Sequence, residues 1–140
     1  MFKYQTYLEK LKTPCPPTDF IKTKREAFRW IFDKKDDNRN FEPVYFKNPS
    51  RFNDKTDEER CMAMGLSFFD SLGNAEKRFL KLKKRVGQES YKIFGTQIAK
   101  GQIEEEDGVN SLPDMGGHFT HHPSIDFKYS EKLIIVKRLK

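Results

Sequence analysis

The chain has 140 residues, 27 Lys and Arg against 21 Asp and Glu, and a formal net charge of +6. That length holds one domain, residues 1–140, with one hydrophobic core. Thirteen Phe, five Tyr and one Trp within 34% charged residues point to an aromatic core under a solvated surface, which argues against disorder. No run approaches the ~20 apolar residues that span a bilayer, and MFKYQTYLEKLK lacks the apolar stretch of a secretory leader. A soluble, cytoplasmic protein is expected, and its positive charge favours phosphate-bearing or polyanionic partners through long-range steering. Cys15 and Cys61 belong to no CxxC or metal-spaced pattern. They read as reduced thiols, with no disulfide and no metal site.

In chain order, Phe2 to Leu11 alternates and predicts a first strand, which TPCPP at Thr13 to Pro17 ends because proline removes donors. Thr23 and Glu26 have capping-box spacing, and Ala27, Phe28, Trp30, Ile31 and Phe32 supply the apolar side of a short helix. Asp33 to Asn40 is a polar breaker, FEPVYF an edge strand, and NPSRFND a loop. Thr56 and Glu59 repeat the capping spacing and open a helical turn or two through Met62.

The stretch from Met64 to Arg85 is the most constrained. Leu66, Phe68 and Phe69 form a short strand after Gly65, and Asp70 and Ser71 offer oxygens where a helix starts. Leu72, Ala75, Phe79, Leu82 and Val86 recur every three or four residues, so they share a helix face that Gly87 ends. Lys77, Arg78, Lys81, Lys83, Lys84 and Arg85 make the opposite face basic. It reads either as a solvated surface or as an anion-facing rim.

Farther on, Ile93 to Ile103 predicts a strand, EEEDG an acidic turn, and Gly108 to Gly117 a loop that reads either as a flap over a cleft or as a passive connection. Gly117 to His122 is extended, and the β-branched run Leu133 to Leu139 predicts a buried strand. The expected fold is α+β: one domain with a central, mostly antiparallel sheet and two to three helices.

Candidate chemistry is sparse. No GxSxG elbow, P-loop or GxGxxG is present. His118, His121 and His122 cluster, but on a strand His118 and His122 face one way and His121 the other, a poor start for a metal site. HFT at His118 to Thr120 has the His-x-Thr form that two-histidine phosphoesterases use in pairs, and here it occurs once. Ser67, on the strand after Gly65, is the one suggestively placed hydroxyl.

The order GLSFFDSLGNAEKRF, GTQIAKGQI, GGHFTHHPSIDFKYSEKLIIVKRLK resembles the second half of the ADP-ribosyltransferase fold of poly(ADP-ribose) polymerases and RES-type toxins. It also resembles small bacterial proteins with a G-x-S-x-F…A…G-H-[FH]-T pattern. The first resemblance implies NAD or a related nucleotide as ligand, with Ser67 at the Tyr/Ser position of the nicotinamide pocket, Ala75 in the following helix and Gly65 leading the strand. His118 falls near the position of the catalytic Glu. The ribose-holding Arg or His of the family's first strand has Lys10 or Tyr7 as its nearest counterpart. A neutral imidazole cannot supply the charge that a carboxylate lends to an oxocarbenium-like transition state, so activity is altered or lost on this reading. The competing expectation is a non-catalytic module, in a mobile-element or phage-defence setting, that binds nucleic acid or an acidic partner through Lys77, Arg78, Lys81, Lys84 and Arg85. The first reading requires Ser67 and His118 to open into one cleft. The bland alternative to such a site is that Ser67 is sealed in the core and the three histidines lie scattered on a solvated edge.

Overall fold

The computed structural model describes all 140 residues, Met1–Lys140. Its frame is a six-stranded sheet in the order β4-β5-β2-β1-β3-β6, built from β1 (Arg25–Ile31), β2 (Leu66–Phe69), β3 (Gln97–Ile103), β4 (Gly108–Asn110), β5 (His118–Pro123) and β6 (Leu133–Arg138). Every strand pairing is antiparallel. The helices are α1 (Gln5–Leu8), α2 (Val44–Lys47), α3 (Asp57–Ala63), α4 (Leu72–Val86), α5 (Ser90–Ile93) and α6 (Tyr129–Lys132). Only α4 exceeds two turns. The α+β class and the antiparallel sheet expected from the sequence are both present, but there are six helices, most of them a single turn, in place of the two to three expected.

Alternation along the strands divides the core between the sheet's two faces. On one, Ala27, Ile31, Leu66, Phe68 and Phe119 pack with Phe127 and Tyr129. On the other, Phe28, Phe69 and Ile98 lie under Ala75 of α4, with Trp30 and Leu72 at the margin. Helix α4 forms as its pattern requires. Ser71 Oγ accepts the Asn74 N–H at 3.1 Å, and Gly87 closes the C-terminus at φ 79°. Thr56 likewise caps α3 through Glu59 N.

Several sequence expectations are corrected. The segment beginning at Thr23 is not a helix: Arg25–Ile31 is β1, paired along its whole length with β3. Ala27 and Ile31 serve one core face and Phe28 the other, so burial on both sides erased the alternation that marks a strand. Phe2 to Leu11 is not a first strand; Phe2 makes one bridge to Ser124 and the chain then turns into α1. FEPVYF is not an edge strand. Pro43 precedes α2, whose Phe46 packs on Tyr4 and Tyr7. The third strand begins only at Gln97, because α5 intervenes and Gly95 turns at φ 134°, where a Cβ would lie 2.6 Å from the Ile31 carbonyl oxygen. The Gly108 to Gly117 segment starts as β4. Strand β6 exists but is not buried: it is the sheet edge, and Ile134, Ile135 and Val136 are all solvent-exposed.

Cys15 and Cys61 are not free thiols. They form a disulfide that ties the segment after α1 to α3. The cysteine argument for a reducing compartment therefore falls away. No helix is long and apolar enough to cross a membrane.

The edge position of β6 separates two substitutions that the sequence treats alike. Phe68→Ala, at a fully buried ring, should cost about 3–5 kcal/mol in urea unfolding. Ile134→Ser, on the exposed edge, should stay within about 0.5 kcal/mol.

Candidate functional site

The site arises where the sheet loosens. Strands β1 and β2 are paired at a single position, Phe28 with Phe69. Beyond it the next residues of the ladder, which would bring Ser67 alongside Trp30, separate, and side chains take over the polar bonds. Arg29 Nη1 donates to the Ser67 carbonyl at 2.7 Å, its Nε donates to the Asn40 carbonyl at 2.8 Å, and Trp30 Nε1 donates to the Ala75 carbonyl at 2.9 Å. The opening is a cleft of about 1140 Å³.

Ser67 and His118 meet in that cleft. In the β2–β5 ladder Ser67 faces Thr120 and Phe69 faces His118, so Ser67 and His118 are diagonal neighbours on one sheet face. Ser67 Oγ and His118 Nε2 are 2.9 Å apart, and the serine is exposed to the cleft. The other imidazole nitrogen, Nδ1, lies 3.9 Å from Asp114 Oδ2. Asp114 belongs to the loop between β4 and β5, and its Oδ1 accepts the backbone N–H groups of Gly116 and His118, both at 2.9 Å. The loop is further fixed by the Asp70 N–H donated to the Gly117 carbonyl. Gly117 has φ 78°, and a Cβ there would meet Asp70 Oδ1 at 2.2 Å and Asn74 Nδ2 at 2.4 Å.

The result is a serine within hydrogen-bond distance of a histidine, with a carboxylate oxygen 3.9 Å from the other ring nitrogen. Burial draws the His118 pKa below its usual value, aided by Arg78 and Arg29 and opposed by Asp114. A neutral imidazole with Nε2 toward Ser67 can accept its proton, and Asp114 can stabilise the imidazolium that results.

The walls are cationic. Arg29, Arg39, Lys47, Arg51, Lys77, Arg78 and Lys81 line the cleft against two carboxylates, Glu42 and Asp114. Loss of solvent lowers the Arg29 pKa to about 10. Burial and the neighbouring Arg29 lower that of Lys47. Desolvation is the leading cause of both shifts, and only at Lys47 do neighbouring cations, Arg29 and Arg39, add to it.

Of the residues singled out in the sequence, Ser67, His118, Gly65, Lys77, Arg78 and Lys81 line this one cleft. The two readings that the sequence kept apart, a Ser–His pocket and a basic helix face, thus share a wall. Lys84 and Arg85 lie beyond it. Tyr7 and Lys10 do not reach it either: Tyr7 packs on Phe46, and Lys10 Nζ lies over the Tyr7 ring. The strand they were assigned to does not exist, and Arg29 of β1 is the first-strand cation in the cleft. Gly65 is constrained mainly by packing, since a Cβ would lie 2.6 Å from Thr120 Cγ2.

Arg29 and Asp114 escaped the sequence reading. Asp114 sits four residues before His118 in a loop already expected to flank a cleft, a spacing that offered one usable signal. The other histidines face elsewhere. His121 Nδ1 is 2.8 Å from the Tyr129 hydroxyl inside the core, and burial lowers its pKa to about 3. His122 lies under Phe20 near Cys61, and burial lowers its pKa to about 4.

Comparison of the chain with protein-family models, curated proteins and solved structures finds no match.

All three histidines bind protons less readily in the folded chain than in the unfolded one, so acid favours unfolding. Stability should be full above pH ~6.5, the unfolded histidine value, and fall steadily as the pH drops through about 4 and toward about 3, the folded values for His122 and His121. Urea midpoints across that range check this, and His121→Gln or His122→Gln should flatten the slope. Separately, Gly117→Ala should push the loop off Asp70 and Asn74 and raise the His118 pKa toward that of a free imidazole, read by NMR titration.

Proposed function

We propose that the protein binds NAD or a related nucleotide in the cleft between β1 and β2, with its phosphates toward the cationic wall and its reacting end at Ser67 and His118. On this reading the fold is ADP-ribosyltransferase-like. The observation that carries it is the 2.9 Å Ser67–His118 pair standing in a cleft with seven lining cations. A volume of about 1140 Å³ is slightly above the usual ~300–1,000 Å³ of small-molecule sites, which suits an elongated dinucleotide. Arg29 takes the role that the resemblance seeks on the first strand, holding ribose or phosphate oxygens.

Ser67 would contact the nicotinamide ribose and His118 would orient or polarise it. Glycosidic cleavage needs a carboxylate beside the oxocarbenium-like carbon. The nearest one to the pair, Asp114, is directed to His118, and its Oδ1 is engaged by two backbone donors. Binding without fast cleavage is the expected behaviour. A location in the cytoplasm, where NAD is abundant, goes with this reading.

The nucleic-acid reading differs in where the contacts fall. It needs Lys84 and Arg85, beyond the cleft, as much as Lys77, Arg78 and Lys81. NAD at ten times its Kd should stabilise the chain by about 1.4 kcal/mol and raise Tm by roughly 4 °C. Ser67→Ala and His118→Ala should remove most of that shift, while Lys84→Ala with Arg85→Ala should leave it intact. No shift at millimolar NAD overturns the proposal, and salt-sensitive RNA or DNA binding lost with Lys84 and Arg85 would put the nucleic-acid reading in its place.

A further inference from the structure

Cys15, Cys61 and His122 form a second constellation, four residues along β5 from His118. The two sulfurs and one histidine nitrogen all lie within 4.8 Å of one another. Cys61 Sγ and His122 Nε2 are 4.0 Å apart. Cys61 and His122 are each about 1% exposed, and Cys15 is part-exposed at the rim. Three elements converge here: the proline-rich segment after α1, the helix α3, and β5. Gly65 permits the approach, because a Cβ at that position would crowd His122 Nε2 at 3.2 Å.

We infer that Cys15, Cys61 and His122 are a redox-gated zinc site, closed as a disulfide and opened by reduction. Tetrahedral zinc, with Zn–S near 2.3 Å and Zn–N near 2.05 Å, sets S···N at about 3.6 Å and S···S at about 3.8 Å. The present S···N separation is already close to that. Side-chain rotation of Cys15, the outermost of the three, parts the sulfurs. A dithiol reductant supplies two electrons and two protons to the disulfide and is itself oxidised to a disulfide. Zn²⁺ then displaces both thiol protons, giving two thiolates and one imidazole, with water from the Cys15 side in the fourth position. The same sulfurs cannot hold the metal and each other, so disulfide and zinc are alternatives. Either one staples the segment after α1 to α3, and metal binding would restore the cross-link that reduction removes. This inference is independent of the NAD reading.

The test uses the full chain, reduced with a phosphine under argon, stripped of metal, and titrated with Co²⁺ and then Zn²⁺. One equivalent of Co²⁺ should bind, with thiolate-to-cobalt charge transfer and the strong visible bands of tetrahedral cobalt, and Zn²⁺ should displace it. The disulfide form should bind none. His122→Ala should weaken binding tenfold or more and alter the visible bands, and Cys15→Ser should lose about half of the charge-transfer intensity. Substoichiometric binding by the reduced wild-type chain, binding without thiolate bands, or a His122→Ala spectrum identical to wild type each overturns the inference. So does a reduced chain that unfolds and is not refolded by Zn²⁺.

Discussion

The strand ladder between β1 and β2 is a single pair, Phe28 with Phe69, and the candidate site depends on its stopping there. A full ladder there would zip Trp30 against Ser67 and close the cleft. Because the pairing stops, the Ser67 carbonyl needs another donor, and Arg29 provides one. The two core clusters hold the fork from either side: Phe68 and Phe119 beneath, Phe69 and Ala75 above.

The electrostatics follow from the same opening. Four cations from β1 and the residues after it meet three from α4 across the cleft. Only Arg39 has an ion-pair partner, Asp37. These cations repel one another across the cleft, and an anionic ligand would relieve that repulsion. Ser67, His118 and Asp114 share the wall that α4 forms and add to it an imidazole whose pKa burial lowers. Cationic side chains and a hydroxyl whose proton His118 can accept thereby line one cleft.

The sequence was most legible where local rules suffice. The stretch from Gly65 to Gly87 carries its own strand, cap, amphipathic helix and stop, and all of these are found. Ser67 and His118 were expected together only from the resemblance, and the β2–β5 register is what makes them neighbours. Tertiary contacts overrode local signals elsewhere. The capping spacing at Thr23 lost to sheet pairing with β3, since a strand covered on both faces gains more from burial than a short helix from its cap. The β-branched run at Leu133 looked buried, but its neighbour exists on one side only. Arg29 was hidden inside a mis-assigned helix, and the cysteine pairing could not be read from two residues 46 apart.

The central claim is that ligand binds in the fork between β1 and β2. Titrating NAD into ¹⁵N-labelled protein and following backbone and imidazole resonances tests it most directly. The account predicts shifts concentrated at Arg29, Ser67, Lys77, Arg78 and the Asp114–His118 loop, with the His118 imidazole moving as Nε2 exchanges partners. Perturbations confined to Lys84, Arg85 and the outer face of α4, with Ser67 and His118 unmoved, would contradict it.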